Sequence, residues 1–80
     1  MSLYLNASKD IAPGIKVDAY INEIQVWIGN RIEYVWFCNN IDQARYHWVG
    51  AVAAAKRLAV KAAARAKEDE INDILNKFAA

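Results

Sequence analysis

The sequence predicts an α+β protein in which a three-stranded antiparallel β-meander is followed by a long, alanine-rich C-terminal helix. Apolar and polar residues alternate from residue 15 to residue 38, as in strands that bury one face. The alternation changes parity at two short breaks, as it does at hairpin turns. Residues 51–67 contain nine alanines, two β-branched residues and neither glycine nor proline, which favours a helix.

The length of the chain limits its organisation. Eighty residues suit one domain, and a chain of this size buries only about two thirds of its unfolded surface. We expect a single domain over 1–80, with an N-terminal arm over 1–14, the meander over 15–38 and a helical region over 40–79. Pro13-Gly14 ends the arm, for which no structure is predicted.

The meander is predicted as strands over about 15–21, 24–28 and 32–38. An amphipathic helix through the same segment is the alternative, because several of its apolar residues also fit a period of 3.6. Eight β-branched residues lie between residues 15 and 35, with Gly29 among them. This composition favours strands over a helix.

The breaks in the alternation also predict the register of the strands. A two-residue turn after Ile21 would place Ile21 opposite Ile24. A three-residue loop over 29–31 would place Val26 opposite Tyr34. Both choices keep the apolar residues on one face of the sheet, which a slip of one residue would destroy.

The helical region is predicted from residue 41 onward, with Asn39, Asn40 and Asp42 as candidate N-caps. It forms either one helix over 41–78 or two helices with a break near residues 67–69. The acidic run over 68–70 suits the N-terminus of a second helix, and Ile71, Ile74, Leu75 and Phe78 would then form a new apolar stripe. A continuous helix would span about 55 Å, so its distal half would overhang the sheet and need a partner.

Few residues could carry catalysis or hold a cofactor. The chain has one cysteine, Cys38, and one histidine, His47, so neither an internal disulfide nor the usual zinc site can form. Cys38 and His47 could act together as nucleophile and base. The alternation, however, places Cys38 at a core-facing position of the strand, where a cysteine behaves as a small apolar residue. The glycines are too far apart for a phosphate loop. We expect a protein without enzymatic activity, cofactor or metal.

Membrane insertion and secretion are not expected. The longest stretch without charge covers residues 46–55, about half the length of a membrane span. The N-terminal residues lack the basic and apolar regions of a signal peptide. A soluble, cytoplasmic protein is therefore the expectation.

Charge is segregated along the chain. The net charge is −2 over residues 1–42, +6 over 43–67 and −3 over 68–80. Arg57, Lys61 and Arg65 repeat at intervals of four and form one basic stripe on the helix. Three interpretations compete for this stripe: a solvated outer face, contact with the phosphates of nucleic acid or a nucleotide, and antiparallel pairing of two protomers across a twofold axis.

Aromatic residues suggest two further surfaces. Trp27 and Phe37 are expected on the outer face of the sheet, where the N-terminal arm or a second protomer would have to cover them. A second group follows the start of the helix, where free N–H groups and the helix dipole favour anions. A pocket for a flat anionic ligand could form there from four consecutive residues: Arg45, Tyr46, His47 and Trp48.

In topology, a three-stranded meander followed by a helix is similar to the small DNA-binding sheets of some integrase arm-binding domains and plant ethylene-response domains. The resemblance implies DNA contacts through basic and aromatic residues on the exposed sheet face. Here that face and its turns offer Lys16 and Arg31 against Asp18, Glu23 and Glu33. The basic surface that such domains use is therefore missing.

Two functions from different classes remain open. The first is a non-enzymatic, self-associating binding protein that occupies or sequesters a partner protein or an anionic, nucleotide-like small ligand. In size and in its lack of catalytic groups the chain looks like the small inhibitors and ligand-sequestering proteins of phages. The alternative is a nucleic-acid-binding accessory protein that uses the basic stripe. Both are expected as homo-oligomers that do not interact with membranes.

Overall fold

A computed structural model describes residues 3–78 and shows an antiparallel sheet with one long helix, as an α+β fold requires. The strands are β1 (Leu5–Ala12), β2 (Ile15–Ile21), β3 (Glu23–Ile28) and β4 (Arg31–Phe37), and the helix is α1 (Ile41–Phe78). The strands lie in the order β1-β2-β3-β4, each hydrogen-bonded to the next in sequence. Predictions for residues 1–2 and 79–80 and for the Phe78 side chain lie outside the described residues.

The sheet has four strands, so the prediction of three was wrong. The N-terminal arm, for which no structure was predicted, forms β1, which pairs along β2 from Leu5↔Ile21 to Ala12↔Ile15. Pro13-Gly14 is the turn between them, with Gly14 at φ 79°, a value that glycine adopts without a Cβ clash. β1 contains one β-branched residue in eight, and this composition concealed it.

The first predicted register was wrong by two residues. β2 and β3 pair as Ala19↔Ile24 and Tyr20↔Glu23, so the turn is formed by Ile21 and Asn22 and not by the two residues after Ile21. Ile21 has φ 56°, which is unusual for a β-branched residue. A shift of two residues keeps every side chain on its predicted face, and the predicted core face is therefore preserved.

The second hairpin contains an irregularity that the sequence pattern did not show. Val26 lies opposite Tyr34 as predicted, but the pairing shifts to Trp27↔Ile32 beyond this point. The two strands enclose a two-residue turn, Gly29-Asn30, in place of the predicted three-residue loop. The extra residue is absorbed by a bulge in β4, which places Ile32 on the outer face with Trp27.

The core lies between the inner face of the sheet and the first half of α1. The buried apolar residues are Ile15, Val17, Ala19, Ile24, Val26, Cys38, Ala44, Ala51 and Ala55. Three alanines on the helix allow its axis to lie close to the sheet. The helix packs on β1, β2 and β3, so β4 extends beyond it as a free edge.

The helix is continuous from Ile41 to Phe78, and of the two predicted alternatives the break near residues 67–69 is wrong. Its 38 residues correspond to about 57 Å, and the molecule measures 65 × 20 × 15 Å. Every residue from 60 to 77 is exposed. The distal half of α1 therefore overhangs the sheet, and Glu68, Asp69 and Glu70 lie within the helix.

Asn40 is the N-cap of α1. Its side-chain oxygen accepts a hydrogen bond from the Gln43 backbone N–H at 2.9 Å, and the Gln43 side chain accepts one from the Asn39 N–H at 2.8 Å. These bonds satisfy donors that the first turn of a helix otherwise leaves free. The cap fixes the direction in which α1 leaves β4.

Candidate ligand-binding groove

A groove separates β4 from the helix. Because α1 packs mainly on the other three strands, it covers the inner face of β4 only in part, through the contact of His47 with Trp36. Tyr34 is 43% exposed and Trp36 is half-buried, although both point to the same side as the core residue Val26. The inner face of β4 thus forms one wall of the groove, and the side of α1 forms the other.

The groove runs along the helix in two connected parts. The first part has a volume of about 510 Å³ and is lined by Trp36, Tyr46, His47, Val49, Gly50, Ala54 and Arg57. The second has about 300 Å³ and is lined by Tyr34, Trp36, Ala54, Arg57, Leu58 and Lys61. These volumes are in the range of small-molecule sites.

Aromatic side chains form a connected wall at one end of the groove. The Trp36 and His47 rings lie nearly parallel, with centroids 6.4 Å apart and an interplanar angle of 18°. Tyr34 lies 5.7 Å from Trp36, and Tyr46 meets His47 edge-on at 5.6 Å. Such distances are typical of interacting rings, so the wall is held in place by its own contacts.

Two cations line the same groove from the helix side. Arg57 borders both parts, and Lys61, one turn further along, borders the part beside Tyr34. Within residues 3–78 the ion pairs are Lys16–Asp18 and Arg31–Glu33, so neither groove cation is neutralised by a carboxylate. The arrangement combines stacking surfaces with positive charge.

Gly50 is a groove residue that sequence reasoning did not identify. It lies inside α1 and lines the groove beside Trp36 and Arg57, and a Cβ built on it would meet no atom within 4 Å. Glycine within a helix costs about 1 kcal/mol relative to alanine. A lone glycine in an otherwise strong helix-forming segment marks this position in the sequence.

The four residues predicted to form one pocket at the start of the helix lie on two sides of α1. Tyr46 and His47 line the groove, whereas Arg45 and Trp48 line a cleft of about 440 Å³ between α1 and the sheet. The remaining lining of that cleft is apolar, from Leu5, Ala7, Ala19, Ile24, Ile41, Ala44 and Val49. Trp48 packs against the core.

Trp27 and Phe37 lie on the outer face of the sheet, as predicted, but in different environments. The Trp27 indole N–H donates to Gln25 at 3.0 Å, and the Lys16 ammonium lies 5.3 Å from the ring. Phe37 is 65% exposed. β1 lies at the opposite edge of the sheet from β4, so of the two candidate covers the N-terminal arm is wrong, and a second protomer stays a prediction.

Cys38 is a core residue. It is 2% exposed, and its thiol donates to the Trp36 carbonyl at 4.0 Å. Burial raises the pKa of the Cys38 thiol above its ordinary value, which disfavours the thiolate that a nucleophile requires. Cys38 therefore contributes to the packing of the core and does not supply a reactive sulfur.

Residues 3–78 contain neither a helix that could span a membrane nor a cluster of metal-ligating side chains. No part of α1 combines the length and hydropathy that a membrane crossing requires. Within the same residues no three side chains of His, Cys, Asp or Glu lie close enough together to hold a metal ion.

Comparison of the chain with protein-family models, with curated proteins and with solved structures finds no match.

Proposed function

We propose that the protein is a non-enzymatic binding protein whose groove holds an anionic small ligand with a flat ring, as in a nucleotide. One observation carries the proposal: Arg57 and Lys61 of α1 line the same groove as Tyr34 and Trp36 of β4. The ring of the ligand stacks on the aromatic wall, and its phosphate lies against the two cations. Sequestration of such a ligand needs no catalytic group.

Each part of this arrangement matches a known preference. Flat heteroaromatic rings stack on tryptophan and tyrosine side chains, and guanidinium groups bind phosphate oxygens through charge-assisted, often bidentate hydrogen bonds. Arg57 borders both parts of the groove, so it can reach an anion while the ring lies against Trp36. The aromatic contacts within the wall reduce the entropy lost on binding.

Occupation of a partner protein, the other form of this function, would use the outer face of the sheet. That face is partly satisfied within the chain, because Gln25 is only 8% exposed and donates to Glu23 at 2.7 Å. Ser8 donates to Asp18 on the same face at 2.6 Å. The groove offers more unsatisfied charge and open volume than this face, and therefore supports a small anionic ligand better.

Calorimetric titration tests the proposal, with nucleoside, nucleoside monophosphate, nucleoside diphosphate and inorganic phosphate as probes. We expect the phosphorylated nucleosides to bind more tightly than the nucleoside or phosphate alone. Lys61→Ala should weaken binding by about tenfold, as expected for a lost charge-assisted hydrogen bond. Arg45→Ala is the control, because Arg45 lies on the other side of α1. Equal losses in both variants, or no binding of any phosphorylated probe, would refute the proposal.

A second candidate function is nucleic-acid binding through the basic stripe. The observation in its favour is that Arg65 is exposed and lies one turn beyond Lys61, so the line of cations continues past the groove. Three phosphate contacts to a single strand predict a log–log salt slope of about −2. A labelled single-stranded oligonucleotide titrated at several salt concentrations measures this slope. Unchanged affinity in the triple variant Arg57→Ala, Lys61→Ala, Arg65→Ala would eliminate this function.

A further inference from the structure

The side of α1 that faces away from the sheet carries a line of exposed apolar side chains. Val60 lies nine residues, or about two and a half turns, after the buried residue Ala51, so the two residues are on opposite sides of the helix. Val60 is 70% exposed. Other large side chains on this side are 50–78% exposed. We call this line the outward stripe; its exposed members are Tyr46, Val49, Val60, Ala64, Ile71, Ile74 and Leu75, and the half-buried Ala53 lies among them.

The spacing within the outward stripe is regular. Val49, Val60 and Ile71 are eleven residues apart, and eleven residues are about three helical turns. A neighbouring row, formed by Ala53, Ala64 and Leu75, has the same interval. The two rows are mirror images about residue 62, so the stripe has the same spacing when the helix is read in reverse.

We propose that two copies of this chain pair through the outward stripe, with their helices antiparallel and a twofold axis near residue 62. The pairing sets the two rows against each other. Val49 lies opposite Leu75 of the second copy, Ala53 opposite Ile71, and Val60 opposite Ala64. Two of these pairs match a small with a larger side chain, and each occurs twice by symmetry.

The surface around Val60 has the shape that such a contact needs. A depression of about 360 Å³ lies there, bordered by Lys56, Arg57, Val60 and Lys61. In the pair, the Ala64 side of the second helix lies over this depression. The sheets are on the opposite sides of their helices, so they do not collide.

Charge decides the direction of the helices. The basic segment 43–67 and the acidic segment 68–80 have net charges of +6 and −3. In the antiparallel pair, Arg57 lies beside Glu68 of the second copy on the same flank of the stripe. A parallel pair would set the basic segment beside the basic segment of the second copy and the acidic segment beside the acidic one, which is unfavourable.

The pairing also accounts for the overhanging half of α1. Residues 60–77 are exposed, and an isolated helix of this length is only marginally stable in water. The second copy supplies the apolar contact that the sheet is too short to provide. The inference does not depend on the ligand groove.

Sedimentation of the full chain over a concentration series tests the pairing. We expect a species of twice the chain mass that dissociates on dilution. Val60→Glu places a charge at the centre of the contact in both copies and should weaken the pair by about a hundredfold. Ala66→Glu is the matched control, because Ala66 is equally exposed but lies on the other side of the helix. A monomer at every concentration, or equal effects of the two variants, would overturn the inference.

Charge reversal tests the register independently of the apolar contact. Glu68→Arg should weaken the pair, and the double variant Arg57→Glu, Glu68→Arg should restore it. A double variant no stronger than Glu68→Arg would contradict the predicted contact. Circular dichroism of each variant verifies that the helix content is unchanged.

Disulfide trapping tests the direction. Under mild oxidation, a mixture of chains carrying V49C and chains carrying L75C should form a cross-linked dimer. Either chain alone should not, because its two introduced thiols would lie about 39 Å apart in the antiparallel pair. Efficient cross-linking of L75C with itself would show a parallel pair and overturn the inference.

Discussion

Replacement of Gly50 by alanine should stabilise the protein. Gly50 lies within α1, its φ is not left-handed, and a Cβ would meet no atom within 4 Å. The gain is therefore the full difference in helix propensity between glycine and alanine, about 1 kcal/mol. No packing penalty offsets this gain.

Thermal unfolding measures this gain directly. For a chain of 60–100 residues, a change of 1 kcal/mol shifts Tm by about 4–8 °C, so Gly50→Ala should raise Tm by that amount. The two proteins are compared at one concentration by circular dichroism at 222 nm. An unchanged or lowered Tm would show that residue 50 is not in a regular, open helical position, and the assignment of the groove would be wrong.

A larger side chain at the same position separates stability from binding. Gly50→Leu retains a good helix former and fills the groove beside Trp36 and Arg57. We expect folding to be preserved while affinity for a phosphorylated nucleoside falls, whereas Gly50→Ala should bind nearly as well as the native protein. Undiminished binding by Gly50→Leu would place the ligand elsewhere.

Three further predictions concern the core, the helix cap and the buried thiol. Ile24→Ala truncates a side chain that is 1% exposed and should lower the free energy of unfolding in urea by about 2–5 kcal/mol. Phe37→Ala truncates a side chain that is 65% exposed and should change that free energy by less than about 0.5 kcal/mol. Equal effects of the two variants would contradict the assigned faces. Asn40→Ala should lower the free energy of unfolding by about 1 kcal/mol, and Asn40→Asp should lower it much less. Unchanged stability of Asn40→Ala would show that Asn40 does not cap α1. Burial raises the pKa of the Cys38 thiol above its ordinary value of 9.0. Above pH 9.0 the unfolded chain therefore loses the thiol proton before the native state does, and the free energy of unfolding should fall as the pH rises further. Cys38→Ala should lack this component of the decline, and identical pH profiles would contradict the burial of the thiol.

The fold was predictable where burial on one face dictated the pattern. β2, β3 and β4 followed from the alternation, as did the core residues of β2 and β3, because a buried sheet face requires apolar residues at every second position. β1 was missed because it is an edge strand whose residues, apart from Leu5 and Ile11, give little apolar alternation. Its structure depends on hydrogen bonds to β2, which the sequence of β1 alone does not show.

The groove was only partly predictable. The basic stripe followed from helical periodicity, since Arg57 and Lys61 are one turn apart. That the stripe meets Tyr34 and Trp36 depends on which strands α1 covers, a tertiary property without a local signal. Arg45 and His47 line different cavities for a local reason, because residues two apart on an α-helix are separated by about 200° around its axis.

The outward stripe was missed for a different reason. Its proximal half, including Val49 and Val60, lies in a segment that is rich in alanine on every side, so the pattern there does not separate a second apolar side from the sheet-facing one. A helix that is apolar on two sides needs two partners. The sheet is one of them, and a second copy of the chain is the other in the pairing proposed above.

Arg57 belongs to both proposed surfaces, and this makes the two activities interdependent. It lines the groove and also borders the depression around Val60. A phosphate in the groove and Glu68 of the second copy compete for the same guanidinium group. By thermodynamic linkage, the bound ligand and the pairing of the two copies weaken each other: each lowers the affinity of the other by the same factor.

Glu68→Gln tests this interdependence, because it removes the competing carboxylate and leaves the groove intact. The substitution should weaken pairing and, at a concentration where the native protein is paired, tighten binding of a phosphorylated nucleoside. Sedimentation and calorimetry on the same samples measure the two effects. If Glu68 had only a structural role, its loss would lower both affinities, and parallel losses would show that Arg57 is not shared.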